Sequence, residues 1–584
     1  MRKLNIPLRQ YAALLSAYLR PQWKSITLLL LLLLLSIGMQ LINPQIIRSF
    51  IDMAKEQADS TKLIYAAVLF IGVSLLYQAI MLAATYLGEN IGWIATNKLR
   101  GDVAEHCLRL DMSFHKAHTS GSLIERVDGD INALANFFSK LVVTLLSNLV
   151  LVAGIIILLF REGWEIGLGM LVFTVFAIWS IQYIRRYASP FWGKMRQISA
   201  DFYGFLGEQL DGTEDVRANG ASGFVLSRFD DLLRKWLPIR IRAFFGFAAM
   251  WITTIVVFAM GNAMAFAVSA YLWKKGSLTI GAVYMIFYYT ELLAKPIEQI
   301  RTQMEDLQKA DASITRIKEL LELRPAVTDG RGTSIPAGPV RVKFDRMTFG
   351  YEPGSVTLDS IHFELKPGES LGVLGRTGSG KSTLARLLLR FYDPASGGIY
   401  LNGVNIRDAK LAELRRSVGM VTQQIELFQG TVRDNLTFFD ESIPDSRIIG
   451  VLEELGMGEW LHSMPLGLDS PLESSGGGLS AGEAQLMAFA RVFLMDPGLV
   501  ILDEASSRLD PATEQRIESA ISKLLRNRTS IIIAHRLATV QRVDQILVLD
   551  NGRVVEYGER SRLAADRHTR FSGILEKGLE ETPA

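Results

Sequence analysis

Long uncharged stretches dominate the first half of the chain. A helix needs about 20 mostly apolar residues to cross the hydrocarbon core of a bilayer. Five stretches reach or approach this length, at 25–47, 63–88, 141–160, 166–184 and 243–273. A sixth begins at Ser277, stays uncharged to Thr290 and continues past Glu291 and Lys295. We count it as a span because the chain must return to the cytoplasmic side to reach its polar second half. The pattern therefore predicts six membrane-spanning helices.

The distribution of basic residues predicts the orientation of these spans. Five basic residues and no acidic residue precede the first span: Arg2, Lys3, Arg9, Arg20 and Lys24. Since Lys and Arg are enriched on the cytoplasmic side, we expect the N-terminus there, together with the long second and fourth loops at 89–140 and 185–242. Within residues 1–24, helical spacing of apolar side chains predicts an amphipathic helix on the inner membrane surface. These side chains are Tyr11, Leu14, Leu15, Tyr18 and Leu19.

A change of composition near Leu323 separates this part from the rest of the chain. Residues 324–340 are rich in Pro, Gly and Thr, as expected of a linker. From Arg341 onward, short strand-like apolar stretches alternate with helical ones, a pattern typical of an α/β domain. We therefore divide the chain into an amphipathic segment at 1–24, a membrane domain at 25–323, a linker at 324–340 and an α/β domain at 341–584.

Composition agrees with a membrane part joined to a polar part. Hydrophobic residues make up 49% of the 584, yet 21% are charged. The net charge of +2 is too small to indicate a nucleic-acid partner. A single cysteine, Cys107, excludes an intrachain disulfide. His115 and His118 are close in sequence, but nothing nearby completes a metal site, so we favour a solvated surface pair.

One glycine-rich segment predicts a phosphate-binding loop. Residues 375–382 match the pattern G-x-x-x-x-G-K-[ST], between a predicted strand at 370–374 and a predicted helix at 383–389. Glycines allow backbone N–H groups to turn toward phosphate oxygens, and the helix N-terminus adds positive potential. Lys381 would reach the β- and γ-phosphates of ATP, and the Ser382 hydroxyl would bind Mg²⁺. The predicted nucleotide contacts are Gly375, Arg376, Thr377, Gly378, Ser379, Gly380, Lys381, Ser382 and Thr383.

Two further apolar strands end in side chains suited to ATP hydrolysis. The first, at 499–502, leads into Asp503 and Glu504. Asp503 would hold the Mg²⁺ shell, whereas Glu504 would orient the attacking water and act as general base. The second strand, at 530–534, ends in His535, which could donate to the γ-phosphate. Each feature is weak alone, but together with an upstream phosphate loop they form a strong pattern.

Over nearly its whole length, the chain resembles the ATP-binding cassette (ABC) transporters of exporter type. Residues 375–382 look like the Walker A loop of that family, and residues 499–504 look like its Walker B strand. Leu479–Glu483 resembles the signature motif L-S-G-G-Q, which distinguishes this family from other phosphate-loop enzymes. Residues 507–510 resemble the D-loop, and His535 resembles the switch histidine.

The resemblance implies further roles and a dimeric assembly. Gln423 would be the Q-loop glutamine that meets Mg²⁺ and the membrane domain, and Tyr351 would stack on adenine, although it could equally be a core residue. Ser480 and Gly482 would face the γ-phosphate held by the opposite subunit. One chain with six spans and one such ATPase domain is a half-transporter that must pair.

The family's architecture also implies a fold and a location. We expect an all-α six-helix transmembrane domain followed by an α/β phosphate-loop ATPase domain, with ATP and Mg²⁺ as cofactors. The protein would be a multi-pass plasma-membrane protein with a cytoplasmic ATPase domain. Coupling helices would lie near 111–120 and 211–222, unless these segments are plain turns between helices.

Two positions of the signature depart from the family pattern. Ala481 replaces a glycine that permits close backbone approach, and Glu483 replaces a glutamine at a helix end that receives phosphate. Two like charges about 4 Å apart near a surface repel by roughly 4 kcal/mol. The Walker residues of the chain are complete, so we favour a heterodimer whose partner carries an intact signature. Such a pair resembles bacterial heterodimeric exporters with one degenerate ATP site. A homodimer with two mildly impaired sites is the alternative.

We expect ATP-driven export of an amphipathic small molecule, lipid or peptide. A protein that uses ATP only for gating, or an importer with exporter architecture, remains the alternative. Glu504 argues against gating alone, because a general base is not needed there. Polar residues within spans are candidates to line a substrate cavity, though amides can equally join helices. These are Gln40, Asn43, Gln78 and Glu291.

Overall fold

The computed structural model describes residues 16–352, 354–423, 425–473, 479–503, 511–534 and 540–576. Internal contacts divide the chain into two compact units. The helical unit contains the described residues up to Leu108 and residues 120–323. The α/β unit contains residues 109–119 and the described residues from Arg324 onward. Most of the predicted amphipathic helix, including Tyr11, lies outside the described residues.

Long helices build the helical unit. In chain order they are α1 (Trp23–Lys55), α2 (Ser60–Arg109), the short α3 (Met112–Ala117, which belongs to the α/β unit), α4 (Ser120–Ile124), α5 (Ile131–Lys140), α6 (Ser147–Glu162), α7 (Trp164–Asp211), the short α8 (Thr213–Ala218), α9 (Ser222–Lys274) and α10 (Ile280–Glu322). Two turns of π-helix, Glu125–Asp130 and Leu141–Leu146, join α4, α5 and α6 into one helical path. The short α3 and α8 occupy the segments predicted for coupling helices.

Among the described residues, five helices are long and apolar enough to cross a membrane. They are Ser16–Lys55, Ser60–Arg109, Thr144–Glu162, Trp164–Asp211 and Ser222–Lys274. The sixth predicted span lies in α10, where Tyr284, Tyr288, Glu291 and Lys295 dilute the apolar sequence. The helices α2, α7 and α9 contain 50, 48 and 53 residues. At 1.5 Å per residue each exceeds 70 Å, roughly twice what the hydrocarbon core requires, so the helices continue into the predicted cytoplasmic loops.

Close packing joins the helices of this unit. Fully buried side chains form its main core, including Ile155, Ala177, Met285 and Tyr289. At the Gly246 position of α9, a Cβ atom would lie 3.3 Å from that of Ala188 on α7, so glycine lets the two helices approach closely. Many large apolar side chains face outward instead, as expected where lipid replaces water.

Three sheets organise the α/β unit. Its strands are β1 (Val342–Phe349), β2 (Leu358–Leu365), β3 (Ser370–Gly375), β4 (Ser396–Leu401), β5 (Val404–Asn405), β6 (Val418–Val421), β7 (Gly430–Thr431), β8 (Pro471–Leu472), β9 (Leu499–Asp503), β10 (Thr529–Ile533), β11 (Gln545–Asp550) and β12 (Arg553–Glu559). The central six-stranded sheet has the order β12-β11-β3-β10-β9-β6, and all its pairs are parallel except β11 with β12. An antiparallel sheet, β2-β1-β4-β5, and the small pair β7-β8 complete it.

Helices pack around these sheets. They are α11 (Lys381–Leu388), α12 (Leu411–Ser417), α13 (Val432–Thr437), α14 (Asp445–Glu454), α15 (Gly458–Ser463), α16 (Ala481–Met495), α17 (Pro511–Leu525), α18 (Arg560–Ala565) and α19 (Arg570–Glu576). The strand and helix predicted around the phosphate loop are confirmed within two residues. Apolar strands such as β9 and β10 are buried on both faces, which is why they read as continuous hydrophobic runs.

Candidate functional site

The phosphate loop depends on glycine at two positions. Gly375 and Gly380 have φ values of 153° and 103°, in the range that disfavours other residues. A Cβ at Gly375 would lie 2.4 Å from the Leu549 carbonyl oxygen, and one at Gly380 would lie 2.5 Å from Leu358 Cδ2. Both the backbone conformation and the available space therefore require glycine, and the loop keeps its shape between β3 and α11.

The loop carries groups that fit a phosphate. Gly380 is the N-cap of α11 and offers no side chain to the first-turn N–H groups, so this helix N-terminus is suited to an anion. The Ser379 hydroxyl is buried and has no hydrogen-bond partner among the residues that the structure describes. Lys381 is only 6% exposed, and its ammonium donates to the carbonyls of Gly375 at 2.7 Å and Arg376 at 3.1 Å. A buried cation beside an unpaired hydroxyl provides the charge and polarity that a phosphate group needs.

The sheet register brings the other predicted groups to the same edge. Ile533 of β10 pairs with Val373 of β3 on one side and with Asp503 of β9 on the other. Because neighbouring strands lie about 4.8 Å apart, Asp503 is roughly 10 Å from β3. Gln423 follows β6, whose Val421 pairs with Leu502. The phosphate loop, Asp503 and Gln423 therefore lie along the carboxyl edge of one parallel sheet.

Two predicted catalytic residues come shortly after strands that end at this edge of the sheet. Glu504 comes directly after β9, and His535 comes two residues after β10. Both lie outside the described residues, as do the D-loop residues 507–510. Their roles remain predictions from the sequence.

Tyr351 is held beside the phosphate loop by several contacts. Its hydroxyl lies 3.1 Å from Thr383 Oγ1 and accepts a hydrogen bond from Arg386 at 3.2 Å. The ring packs edge-on against Tyr392, and the Lys116 ammonium lies 4.4 Å from its centroid. The structure thus places Tyr351 next to Thr383, another predicted nucleotide contact. The structure also places Lys116 of α3 over the Tyr351 ring. The sequence gives no indication of this contact, because the two residues are more than 200 positions apart.

The segment that carries Lys116 is anchored within the α/β unit. Asp111 is the N-cap of α3 and accepts hydrogen bonds from the N–H groups of Phe114 at 3.3 Å and Ala326 at 2.6 Å. Burial would raise the pKa of Asp111, but these bonds and one from Ser113 together hold it below its usual value. The Asp111 carboxylate thus caps the start of α3 and holds the backbone of Ala326 next to it.

The signature helix has a different N-terminus from the phosphate-loop helix. Ser480 is the N-cap of α16, and its hydroxyl accepts from the Glu483 N–H at 3.2 Å. The Glu483 carboxylate reaches back and accepts from the Ser480 N–H at 2.7 Å. This reciprocal capping box turns the acidic side chain toward the helix end rather than away from it.

Gly482 has a packing role that the signature pattern does not reveal. A Cβ there would lie 2.1 Å from Thr513 Cγ2, so glycine lets the start of α16 approach α17. Gly482 is buried, whereas Ser480 and Ala481 are exposed. A nucleotide on this surface would therefore meet Ser480 before it met Gly482.

A separate pocket of about 440 Å³ lies within the helical unit, between α1, α2, α6 and α10. Of the four predicted cavity residues, Gln40 and Glu291 line it, whereas Asn43 donates to Ser74 at 3.2 Å and joins two helices. Glu291 accepts a hydrogen bond from Asn262. Gln78 is not among the described lining residues. The sequence did not single out the other polar or aromatic side chains of the wall, which include Tyr77, Ser147, Asn148, Tyr288, Lys295 and Gln299.

Comparison with known proteins matches both units. Residues 26–297 match the family described as ABC transporter transmembrane region, and residues 358–507 match the family described as ABC transporter. Across 94% of its length the chain is 30% identical to the uncharacterized ABC transporter ATP-binding protein YknV of Bacillus subtilis (strain 168), of which it covers 91%. The chain belongs to the ABC transporter family. A second relative of this transporter is an ATP-dependent lipid A-core flippase of Idiomarina loihiensis, at 29% identity over 88% of the chain and 89% of the flippase.

A solved structure shares the fold of the transporter. It is described as a bacterial Atm1-family ABC exporter with ATP bound, with a TM-score of 0.79 at 24% identity, and the match covers 96% of this chain and 99% of that one. The predicted family and fold class are thereby confirmed. The transporter is a multi-pass membrane protein that couples ATP hydrolysis in its cytoplasmic domain to export.

Proposed function

We propose that the transporter exports an amphipathic molecule, with the pocket between α1, α2, α6 and α10 as part of the substrate path. The proposal rests on the mixed character of that pocket. Leu33, Ile37 and Leu151 provide apolar surface, and Glu291 and Lys295 provide opposite charges one helical turn apart. A molecule with an apolar body and a charged end matches such a wall. The flippase named among the relatives is consistent with a lipid-like substrate.

ATP hydrolysis would be catalysed by the residues at the carboxyl edge of the six-stranded sheet. Lys381 and the glycine loop would hold the phosphates, and Tyr351 would hold the base. Ser382, Asp503 and Gln423 offer oxygen ligands that suit Mg²⁺, which neutralises phosphate charge when bound. Glu504 would take a proton from the attacking water, and His535 would donate to the γ-phosphate.

A heterodimer accounts best for the contrast between this chain's Walker residues and its signature. The Glu483 carboxylate already accepts from the Ser480 N–H at the helix end that should face a phosphate. A partner with an intact signature would complete the ATP site built on Lys381. The altered signature of this chain would then serve the partner's weaker site.

Pairing can be tested by purification of this chain alone and together with a candidate partner, a half-transporter that carries an intact signature motif. We expect transport-competent ATPase only from the pair reconstituted in proteoliposomes. Stable and fully active ATPase from this chain alone would contradict the heterodimer and favour the homodimer.

The substrate path can be tested by Glu291→Ala. A hydrogen bond to a charged group contributes about 1.5 kcal/mol or more, so stimulation of the ATPase by a cationic amphipath should require about tenfold more compound, with little change in basal ATPase. Glu298→Ala is the matched control, because Glu298 lies on the same helix and is not among the described residues that line the pocket. Equal loss of stimulated and basal activity would indicate a structural role for Glu291 instead.

A further inference from the structure

A groove of about 310 Å³ runs between α7 and α9 within the helical unit, and it shares no described lining residue with the substrate pocket. Trp192, Met195 and Arg196 line it from α7, and Arg240, Ala243, Phe244 and Phe247 line it from α9. We call it the α7–α9 groove. It combines aromatic rings with two guanidinium groups.

The α7–α9 groove lies at the cytoplasmic boundary of the membrane. The apolar span of α7 ends near residue 184, and that of α9 begins at residue 243. Cross-helix contacts set the relative level of the two helices. The Trp192 and Phe247 rings stack with centroids 6.5 Å apart, and the Trp236 indole donates to Met195 Sδ at 3.3 Å. Tryptophan is enriched at this level of membrane proteins, where a ring can meet both lipid and water.

Both arginines of the groove lack a partner within the described parts of this chain. Arg196 and Arg240 are exposed, and neither has an ion pair or hydrogen bond with any residue in the described parts of the chain. The described lining residues include no acid that could compensate them. Arg234, on the same helix as Arg240, is different because it pairs with Asp230 at 2.8 Å. The α7–α9 groove is therefore a local region of uncompensated positive charge.

The polarity of the groove has a direction. On α7, Arg196 lies four residues, or about 6 Å, to the cytoplasmic side of Trp192. On α9, Arg240 lies the same distance to the cytoplasmic side of Phe244. Phe244 and Phe247 are 64% and 53% exposed, so they offer apolar surface on the membrane side of the arginines. Positive charge toward the cytoplasm and aromatic surface toward the bilayer match the orientation of an inner-leaflet lipid.

We propose that the α7–α9 groove binds an anionic phospholipid of the cytoplasmic leaflet. The lipid phosphate lies between the guanidinium groups of Arg196 and Arg240, because guanidinium binds phosphate through paired hydrogen bonds. The acyl chains lie against Phe244 and Phe247. A zwitterionic lipid carries its own ammonium group near the phosphate and gains less from two uncompensated arginines. The site is thus selective for net negative headgroups.

Native mass spectrometry of the purified transporter complex can test this site with phosphatidylglycerol and phosphatidylcholine as probes. Each basic residue near an anionic lipid surface strengthens binding by about fivefold. Removal of two should therefore lower the preference for phosphatidylglycerol by about thirtyfold. We expect this loss for the double variant Arg196→Gln, Arg240→Gln. The double variant Arg196→Lys, Arg240→Lys should retain most of the preference, which separates charge from folding.

Matched variants separate lipid binding in the groove from a general effect of positive charge. The double variant Arg228→Gln, Arg234→Gln removes the same number of positive charges as the groove variant, but at positions on α9 that do not line the groove. It should bind lipid as the native transporter does. An equal loss in this control, or full preference in the glutamine variant of the groove, would overturn the proposal. So would displacement of the lipid by millimolar inorganic phosphate. Dissociation of the complex in the glutamine variant would show that a partner chain, rather than lipid, occupies the groove.

Discussion

Two helices of the ATPase domain begin in opposite ways, although both are expected to meet a phosphate. The phosphate-loop helix α11 starts after Gly380, which supplies no capping side chain, and Lys381 adds a buried positive charge. The signature helix α16 starts after Ser480, and a carboxylate from its own first turn completes a capping box. The first helix end is left for an external anion, whereas the second already carries an anion of its own.

The difference shows how one backbone feature can serve ligand binding or stability. Every helix N-terminus has N–H groups without intrahelical partners and a partial positive charge. A capping side chain stabilises a helix by about 1 kcal/mol by meeting these groups. A phosphate from an opposite subunit would meet the same groups, so the Glu483 carboxylate and that phosphate compete. A glutamine could make the same capping bond without the repulsion.

The largest expected effect comes from the Walker side. Glu504→Gln should preserve ATP binding and lower turnover of the assembled transporter by about 10²–10⁴-fold, because it removes the general base. ATPase rate and nucleotide affinity should be measured on the same preparation. Native turnover in this variant would show that Glu504 is not the general base. It would also show that the ATP site built on this chain's Walker residues is not the main site of hydrolysis.

A smaller effect is expected from the buried ammonium of the phosphate loop. Lys381→Ala should weaken ATP binding by about 10–100-fold, since a hydrogen bond to a charged group contributes about 1.5–3 kcal/mol. Lys366→Ala is the matched control, because Lys366 is exposed and paired with Glu369 on the surface. Equilibrium binding of a fluorescent ATP analogue measures both. Equal affinities for the two variants would exclude Lys381 as a phosphate ligand.

The smallest effect is expected from repair of the signature. In a heterodimer, Ala481→Gly with Glu483→Gln should change turnover by less than about twofold, because the repaired signature faces a weak partner site. Glu483→Gln should keep the melting temperature and Glu483→Ala should lower it, because only alanine removes the capping bond, a loss of about 1 kcal/mol. A clear rise in turnover after repair would instead fit a homodimer with two impaired sites.

Elements with a fixed local pattern were predictable from the sequence. The strand, glycine loop and helix around Lys381 follow from one motif, because the required backbone angles permit only glycine at Gly375 and Gly380. Long-range contacts were not predictable. The position of Lys116 over Tyr351 depends on how a distant segment packs in the α/β unit. The direction of the Glu483 side chain, in contrast, has a local sequence signal that was missed, because a serine followed three residues later by a glutamate is the signature of a capping box.

Membrane cavities show the same limit. Polarity identified Gln40, Asn43, Gln78 and Glu291 as candidates, but polarity does not state which helix face a side chain occupies. Asn43 forms a bond between helices, and Gln78 lies outside the described pocket wall. Spacing along a single helix would have helped only if that helix were regular throughout.

The third helical path is not regular, and this affects how the transporter can be mapped. Each π-turn, at Glu125–Asp130 and at Leu141–Leu146, takes up one residue more than an α-turn. One added residue rotates all later side chains by about 100° relative to an uninterrupted helix. A cysteine cross-linking scan designed on a uniform 3.6-residue repeat from α4 would therefore assign Ser147 and Asn148 to the wrong side. The helical positions in such a scan should be counted anew after residue 130 and again after residue 146.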